Sequence, residues 1–167
     1  MSEKWPQEMI NKYGTLALQF VEENMELIEQ NNFSSLFAKN TNIMMTSNIV
    51  RILYDSNIEW MIYVTTIPNG AFYALDHITE LIIPDNITGI ASNAFGNMGQ
   101  LSKLVLPASI KNIGNQILKH TFYLNEIEFK GTKQQWADIW FGSHWNRDSH
   151  IGIVKCSDGT IREAIRK

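Results

Sequence analysis

The chain has 167 residues, enough for one domain or for one domain with an appended arm. Its hydrophobic content of 44% suits a continuous core, and 14 Lys and Arg are scattered among 17 acids, giving a formal net charge of −3. That balance, with an isoelectric point near 5.8, excludes the concentrated basic surface that nucleic acid requires. The opening MSEKWPQEM has no apolar h-region, so no secretory signal is expected. No apolar run approaches the roughly 18–20 residues of a membrane span. Cys156 is the single cysteine, which excludes an intramolecular disulfide and a Cys-based zinc site. A reducing cytoplasm is the expected location, where the sequon Asn86-Ile87-Thr88 has no role.

Residues 1–54 are predicted to form a helical arm or cap. Pro6 suits the first turn of a helix running to about Gln30. Met9, Ile10, Tyr13, Leu16, Ala17, Phe20, Val21, Leu27 and Ile28 fall mostly on one stripe of it. Gly14 interrupts the stripe and marks a bend, and Asn31-Asn32 ends it. Two shorter helices are predicted around Ser34–Lys39 and Ser47–Tyr54. Their apolar residues suit packing on whatever follows, and the first helix also offers a surface for a dimer or a partner.

A repeat occupies residues 55–129. Ile78-Thr79-Glu80-Leu81-Ile82-Ile83-Pro84 aligns with Leu101-Ser102-Lys103-Leu104-Val105-Leu106-Pro107 at a period of 23. Past the proline, Ile87 and Ile90 become Ile110 and Ile113, and Leu124, Ile127 and Phe129 open a further copy. The period also runs backward: Ile58 and Trp60 precede Leu81 and Ile83, Val64 and Ile67 precede Ile87 and Ile90, and Ala71-Phe72 precedes Ala94-Phe95. Leu81 and Ile83 alternate with Glu80 and Ile82, the pattern of a short strand with one buried face. Pro84, with no N–H for a ladder, ends that strand. Ile87 and Ile90 return to the core at a spacing of three, and Ala94-Phe95 sits in a helical or 3₁₀ turn whose Phe fills the interior. Such coils stack into a parallel ladder, because each strand finds backbone partners only on its neighbours.

An open solenoid needs a cover at each end, and residues 130–167 are predicted to supply one. Thr132 with Gln135 makes a capping box for a short helix that places Trp136, Ile139 and Trp140 on one face. Ile151 and Ile153, then Asp158-Gly159, read as a closing hairpin, with Trp136 and Trp145 in the core of the cap.

The I-x-x-L-x-I-P-x-x-I-x-x-I-x-x-x-A-F pattern resembles the BspA-like, or type 5, leucine-rich repeats. Ile127-Glu128-Phe129-Lys130-Gly131-Thr132, Gln135-Trp136, Ile139, Trp145 and Cys156-Ser157-Asp158-Gly159-Thr160 resemble the usual C-terminal end of that family. The resemblance covers about residues 50–161. It implies an α+β fold: a short leucine-rich-repeat solenoid with an N-terminal helical cap and a C-terminal helix-hairpin cap. It implies adhesion or protein recognition as the role, and short intracellular copies with a helical N-terminus resemble phage-encoded members. Two departures stand out: Ile117-Leu118 replaces Ala-Phe, and the first copy is degenerate.

Catalytic constellations are weak. His144 and His150 flank Asp148, but no second cluster completes a metal ligand set. Ser143-His144 lacks the strained G-x-S-x-G turn. Gly96-Asn97-Met98-Gly99 lacks the phosphate-loop spacing. Cys156 belongs to the cap pattern, and His77 and His120 sit near coil ends, where surface or junction packing is expected. No catalytic residue, cofactor or metal site is therefore assigned.

The ladder would project Glu80 and Ile82, Lys103 and Val105, then Glu126 and Glu128, with Ile82 and Val105 side by side as an exposed apolar pair flanked by charge. Four strands span only about 15 Å, whereas a standard interface is about 28 Å on a side. A stable partner must also touch the N-terminal helices, a lateral face or the aromatic-rich 140–150 loop. The expected function is a non-catalytic protein-binding module, a phage factor that binds and inhibits a protein in the host cytoplasm. The alternative is a self-associating assembly protein, a homodimer through the N-terminal helix.

Overall fold

The computed structural model describes residues 5–40 and 42–162. Residues 1–4 and 41 of the expected N-terminal cap and residues 163–167 of the expected C-terminal cap lie outside the described residues.

The single helix expected from Pro6 to Gln30 is three: α1 (Gln7–Tyr13), α2 (Thr15–Glu23) and α3 (Met25–Glu29). Pro6 stands at the cap just ahead of the first turn. Gly14 makes the first break with a φ of 80°, a conformation that glycine adopts without a Cβ penalty. Asn24 makes the second. Its side-chain amide donates to the Phe20 carbonyl at 2.8 Å, and its Oδ1 accepts from Lys39 Nζ at 2.5 Å. An Asn that bonds the backbone in this way competes with the helical ladder. α4 (Phe33–Ala38) and α5 (Ile43–Asp55) follow, each N-capped by asparagine: Asn32 accepts from the Ser35 N–H and Asn42 from the Met45 N–H. The Asn42 cap starts α5 four residues before the predicted Ser47. Leu36, Ile49, Val50 and Leu53 are fully buried in the hydrophobic cluster that continues into the coils.

Beyond α5 a 3₁₀ turn (Met61–Tyr63) leads into β1 (Thr66–Ile67), β2 (Glu80–Ile82), β3 (Gly89–Ile90), β4 (Lys103–Leu106), β5 (Asn112–Ile113) and β6 (Glu126–Phe129). Then come α6 (Lys133–Ala137), β7 (Trp140–Phe141), β8 (Ile153–Cys156) and β9 (Gly159–Ile161). The strands form two ladders, β1-β3-β5-β7 and β2-β4-β6-β8-β9, parallel throughout except for the final β8–β9 hairpin. Registers such as Thr66↔Gly89, Leu81↔Leu104 and Leu104↔Ile127 all step by the 23 residues of the sequence period. The molecule is thus a solenoid of about four turns with helices at its N-terminus, as the repeat predicted.

The first coil departs from its period-matched strand. Trp60 has a right-handed helical backbone, with φ −79° and ψ −28°, so Ile58 and Trp60 build no strand opposite Leu81 and Ile83. Asn86 donates through Nδ2 to the carbonyls of Met61 and Val64, at 2.8 and 2.6 Å, and ties the 3₁₀ turn down.

At the C-terminus the Thr132–Gln135 capping box is present in both directions. Trp140 corrects the predicted helix face: it lies in β7, 63% exposed, while Trp136 and Ile139 are buried. α6 ends at Ala137, so residue 140 no longer follows helical spacing. The parallel ladders also continue past residue 129. Asn112 pairs with Trp140, 28 positions on, and Glu126 with Ile153, 27 on, so this stretch is a further coil enlarged by α6. The predicted closing hairpin is β8–β9.

Aromatic rings fill the axis at both ends of the stack, and Leu118 takes the ring position between them. Phe37, Trp60, Phe72 and Phe95 run in sequence with centroid separations of 5.0, 5.8 and 5.9 Å. At the far end Trp136 meets Phe129, Phe141 and Trp145 at 5.2, 5.3 and 6.0 Å. The turns repeat too. Left-handed backbone recurs at Gly70, Asn93, Gln116 and His144, and again at Ala74, Asn97, His120 and Asp148, with the last step of each series lengthened by the enlarged coil.

Candidate protein-binding surface

The outward side chains of the second ladder form two columns set by strand register. Glu80, Lys103, Glu126 and Ile153 make the first, and Ile82, Val105, Glu128 and Lys155 the second. Lys103 Nζ lies 2.6 Å from Glu80 Oε1, and Lys155 Nζ lies 2.8 Å from Glu126 Oε1. The Glu80 hydrogen bond, with the charge of the same carboxylate, holds Lys103 above the usual lysine value. These exposed pairs orient one another across the strands and leave Glu128 outward with no ion pair among the described residues.

The expected apolar pair is not formed. Ile82 is 52% exposed, but Val105 is only 3% exposed. Val105 lies outside the main core cluster and between Ile82 and Glu128 on its two neighbouring strands. A short side chain in a central strand is covered by longer ones on both sides. Ile82, on the terminal strand, has a cross-strand neighbour on one side only, and that neighbour is the shorter Val105.

The apolar surface that period-matching missed lies where the first coil fails to form its strand. Tyr54 and Ile62 are exposed there with Ile82, and these three, with Ile58, Glu59, Trp60, Phe72 and Pro84, line a groove of about 490 Å³. The only advance signal was the degenerate first copy. The 140–150 loop is less available than its composition suggested, because Trp145 is 1% exposed and belongs to the core.

His77, His120 and His144 fall into turn positions. Asn97 Nδ2 donates to Tyr73 Oη at 2.6 Å, its Oδ1 meets His120 Nδ1 at 2.8 Å, and His120 Nε2 lies 3.4 Å from Asp148. His150 Nδ1 lies 2.9 Å from the Phe122 carbonyl oxygen, and Phe122 stacks on His120 at 5.6 Å. Asp148 therefore joins His120 on the preceding coil, apart from His144 and His150 in its own loop. Among the described residues no three His, Cys, Asp or Glu side chains converge as metal ligands. Burial raises the Cys156 thiol, with the Asp158 charge adding to it, which is the direction of lower reactivity. His77 and Tyr13 both reach Asp55, at 3.6 and 3.0 Å, joining α1, α5 and the first coil.

Two short parallel ladders, an axial stack of side chains and an outward face of charge with one flanking apolar groove define a leucine-rich-repeat solenoid. The family model described as BspA type leucine rich repeat region (6 copies) matches residues 54–146, more than half of the chain, and the chain belongs to that family. No curated protein and no solved structure gives a significant match. Leucine-rich repeats generally mediate protein–protein interaction, and this family is typically a non-catalytic binding module. Among the described residues no helix is long and apolar enough to cross a membrane.

Proposed function

We propose that this chain is a non-catalytic protein-binding module that takes its partner on the outer face of the second ladder and on the surface next to its first strand. The observation that carries this reading is the exposure of Ile82 beside the Glu80–Lys103 pair, an apolar contact framed by charge at one end of a repeat scaffold. The five strands of that ladder span about 19 Å, below the roughly 28 Å side of a standard interface, so the adjoining groove has to share the contact. In its sharpest form the partner is a host protein, and the chain a phage factor that occupies and inhibits it in the host cytoplasm. Neither a nucleic acid nor a cofactor enters this reading.

Capture from the native host tests it. Ile82→Arg combined with Glu128→Arg should leave the circular dichroism spectrum unchanged and abolish recovery of the partner that the wild-type chain recovers. Undiminished recovery removes the ladder face from the account.

A second reading, a homodimer through the N-terminal helices, is favoured by Leu16, 71% exposed, and by Met44, exposed beside it on the rim of a hollow between α2 and α5. Light scattering at tens of micromolar decides it: a dimer that Leu16→Glu dissociates supports the reading, and a strict monomer removes it.

A further inference from the structure

We propose that the open edge of β2, with the groove beside it, is a strand-addition site for an extended segment of a protein partner, alternating in apolar residues and carrying a lysine or arginine. The inference deepens the protein-binding reading and rests on it.

The backbone register makes the argument. The Lys103 N–H donates to the Thr79 carbonyl at 3.2 Å, and the Ile83 N–H donates to the Val105 carbonyl at 2.9 Å. In a parallel ladder that phase turns Thr79, Leu81 and Ile83 toward β4 and turns the N–H and C=O of Glu80 and Ile82 to the other side. On β4, β6 and β8 that other side is taken by the strand of the preceding coil. On β2 it is open, because Trp60 is helical in backbone and the chain turns away into the 3₁₀ segment. Four main-chain groups thus lack a protein partner among the described residues. An uncovered edge is a template for another strand.

The groove supplies room and selectivity. Trp60 and Phe72 are buried at its floor, and Tyr54, Ile62 and Ile82 are exposed along it, so an added strand meets apolar surface on alternate residues. Glu59 is the charged side chain lining the groove, and it forms no ion pair among the described residues. Asp85 is exposed immediately beyond Pro84. Both charges favour a basic residue in the incoming segment, and no cation lines the groove to oppose it.

The test uses the full chain and a displayed library of random heptapeptides. Selection should enrich alternating β-branched or aromatic sequences with Lys or Arg. Ile82→Pro deletes a donor on the open edge that β4 does not use, and should lower recovery of the enriched peptides at least tenfold. Glu59→Lys, an exposed change that leaves the fold intact, should shift the selected charge from basic to acidic. In free protein the Glu80 and Ile82 amides should exchange at least tenfold faster than those of Leu81 and Ile83, and a saturating enriched peptide should slow them tenfold. No enrichment, enrichment blind to Glu59→Lys, or Glu80 and Ile82 amides already protected in the free monomer would each overturn strand addition. Protection that appears only as the chain dimerises would also overturn it, since the occupant is then a second copy. A native partner that still binds while these two amides exchange unchanged overturns strand addition and leaves the protein-binding reading standing. Failure to recover any partner, alongside a protected edge in the peptide experiment, counts against the wider reading alone.

Discussion

At the scale of single residues, equivalent positions of the repeat differ in what surrounds them. Ile82 and Val105 occupy the same register, yet one is half exposed and the other buried. Charge at the two sites therefore has different consequences. Ile82→Arg should change stability by less than about 0.5 kcal/mol, as surface substitutions do. Val105→Arg should lower it by several times that, because a cation is forced between packed strands. Urea unfolding of the two variants reads the contrast directly, and equal effects would contradict the burial.

Glycine shows the same dependence on stacking. A Cβ on Gly114 would lie 2.6 Å from the Ser92 backbone nitrogen, and one on Gly142 would lie 2.7 Å from that of Asn115. Backbones of successive coils touch at these points, so moving a side chain does not relieve the contact. Gly114→Ala should cost about 1–3 kcal/mol, the usual range for overpacking, seen as a lower denaturation midpoint with an unchanged m-value.

At the scale of elements, asparagine and threonine side chains decide where helices begin and break. Loss of the Thr132 hydroxyl from the α6 capping box should cost about 1 kcal/mol. Thr132→Ser should restore most of it, since the serine Oγ accepts from the same Gln135 N–H. α1 is held by charge as well as by packing. Burial alone would raise Asp55, but hydrogen bonds from Lys12 and Tyr13, with the charges of Lys12 and His77, outweigh it and hold the carboxyl below its ordinary value. The same hydrogen bond is foremost in raising Lys12. Because the folded Asp55 pKa lies below the unfolded one, its contribution is complete above about pH 4 and is lost as pH falls through the folded value. Asp55→Asn should flatten that acid limb in a plot of denaturation midpoint against pH. An acid limb as steep as the wild type's would mean that α1 is docked by other contacts.

At the scale of the whole molecule, stability runs from coil to coil and depends on its covers. Tyr13, Ala17, Leu18 and Ile52 form a small cluster separate from the main one. Deleting residues 1–14 should therefore leave a folded solenoid that still melts cooperatively. Deleting residues 1–55 removes Phe33, Leu36, Ile49, Val50 and Leu53, all fully buried, and uncovers Trp60. That truncation should be insoluble or lack a cooperative melt, and a soluble, cooperatively melting product would show that the first coil needs no cover.

The sequence by itself determined the coil, the register and the axis: apolar residues every 23 positions have one compact arrangement, in which each copy's inward face meets the next. It also determined the capping box and the final hairpin, because both depend on residues a few positions apart. What only the tertiary structure decided is the fate of chain that meets an unlike neighbour. Val105 is covered by residues on adjacent coils, Asn24 breaks a helix because Lys39 and the Phe20 carbonyl are within reach, and Ile58 to Trp60 forgo a strand where Asn86 holds the following turn. The candidate groove arises at that last place. A period describes what every coil shares, and an end of the stack is where the sharing stops, so contacts distant in sequence set the structure there.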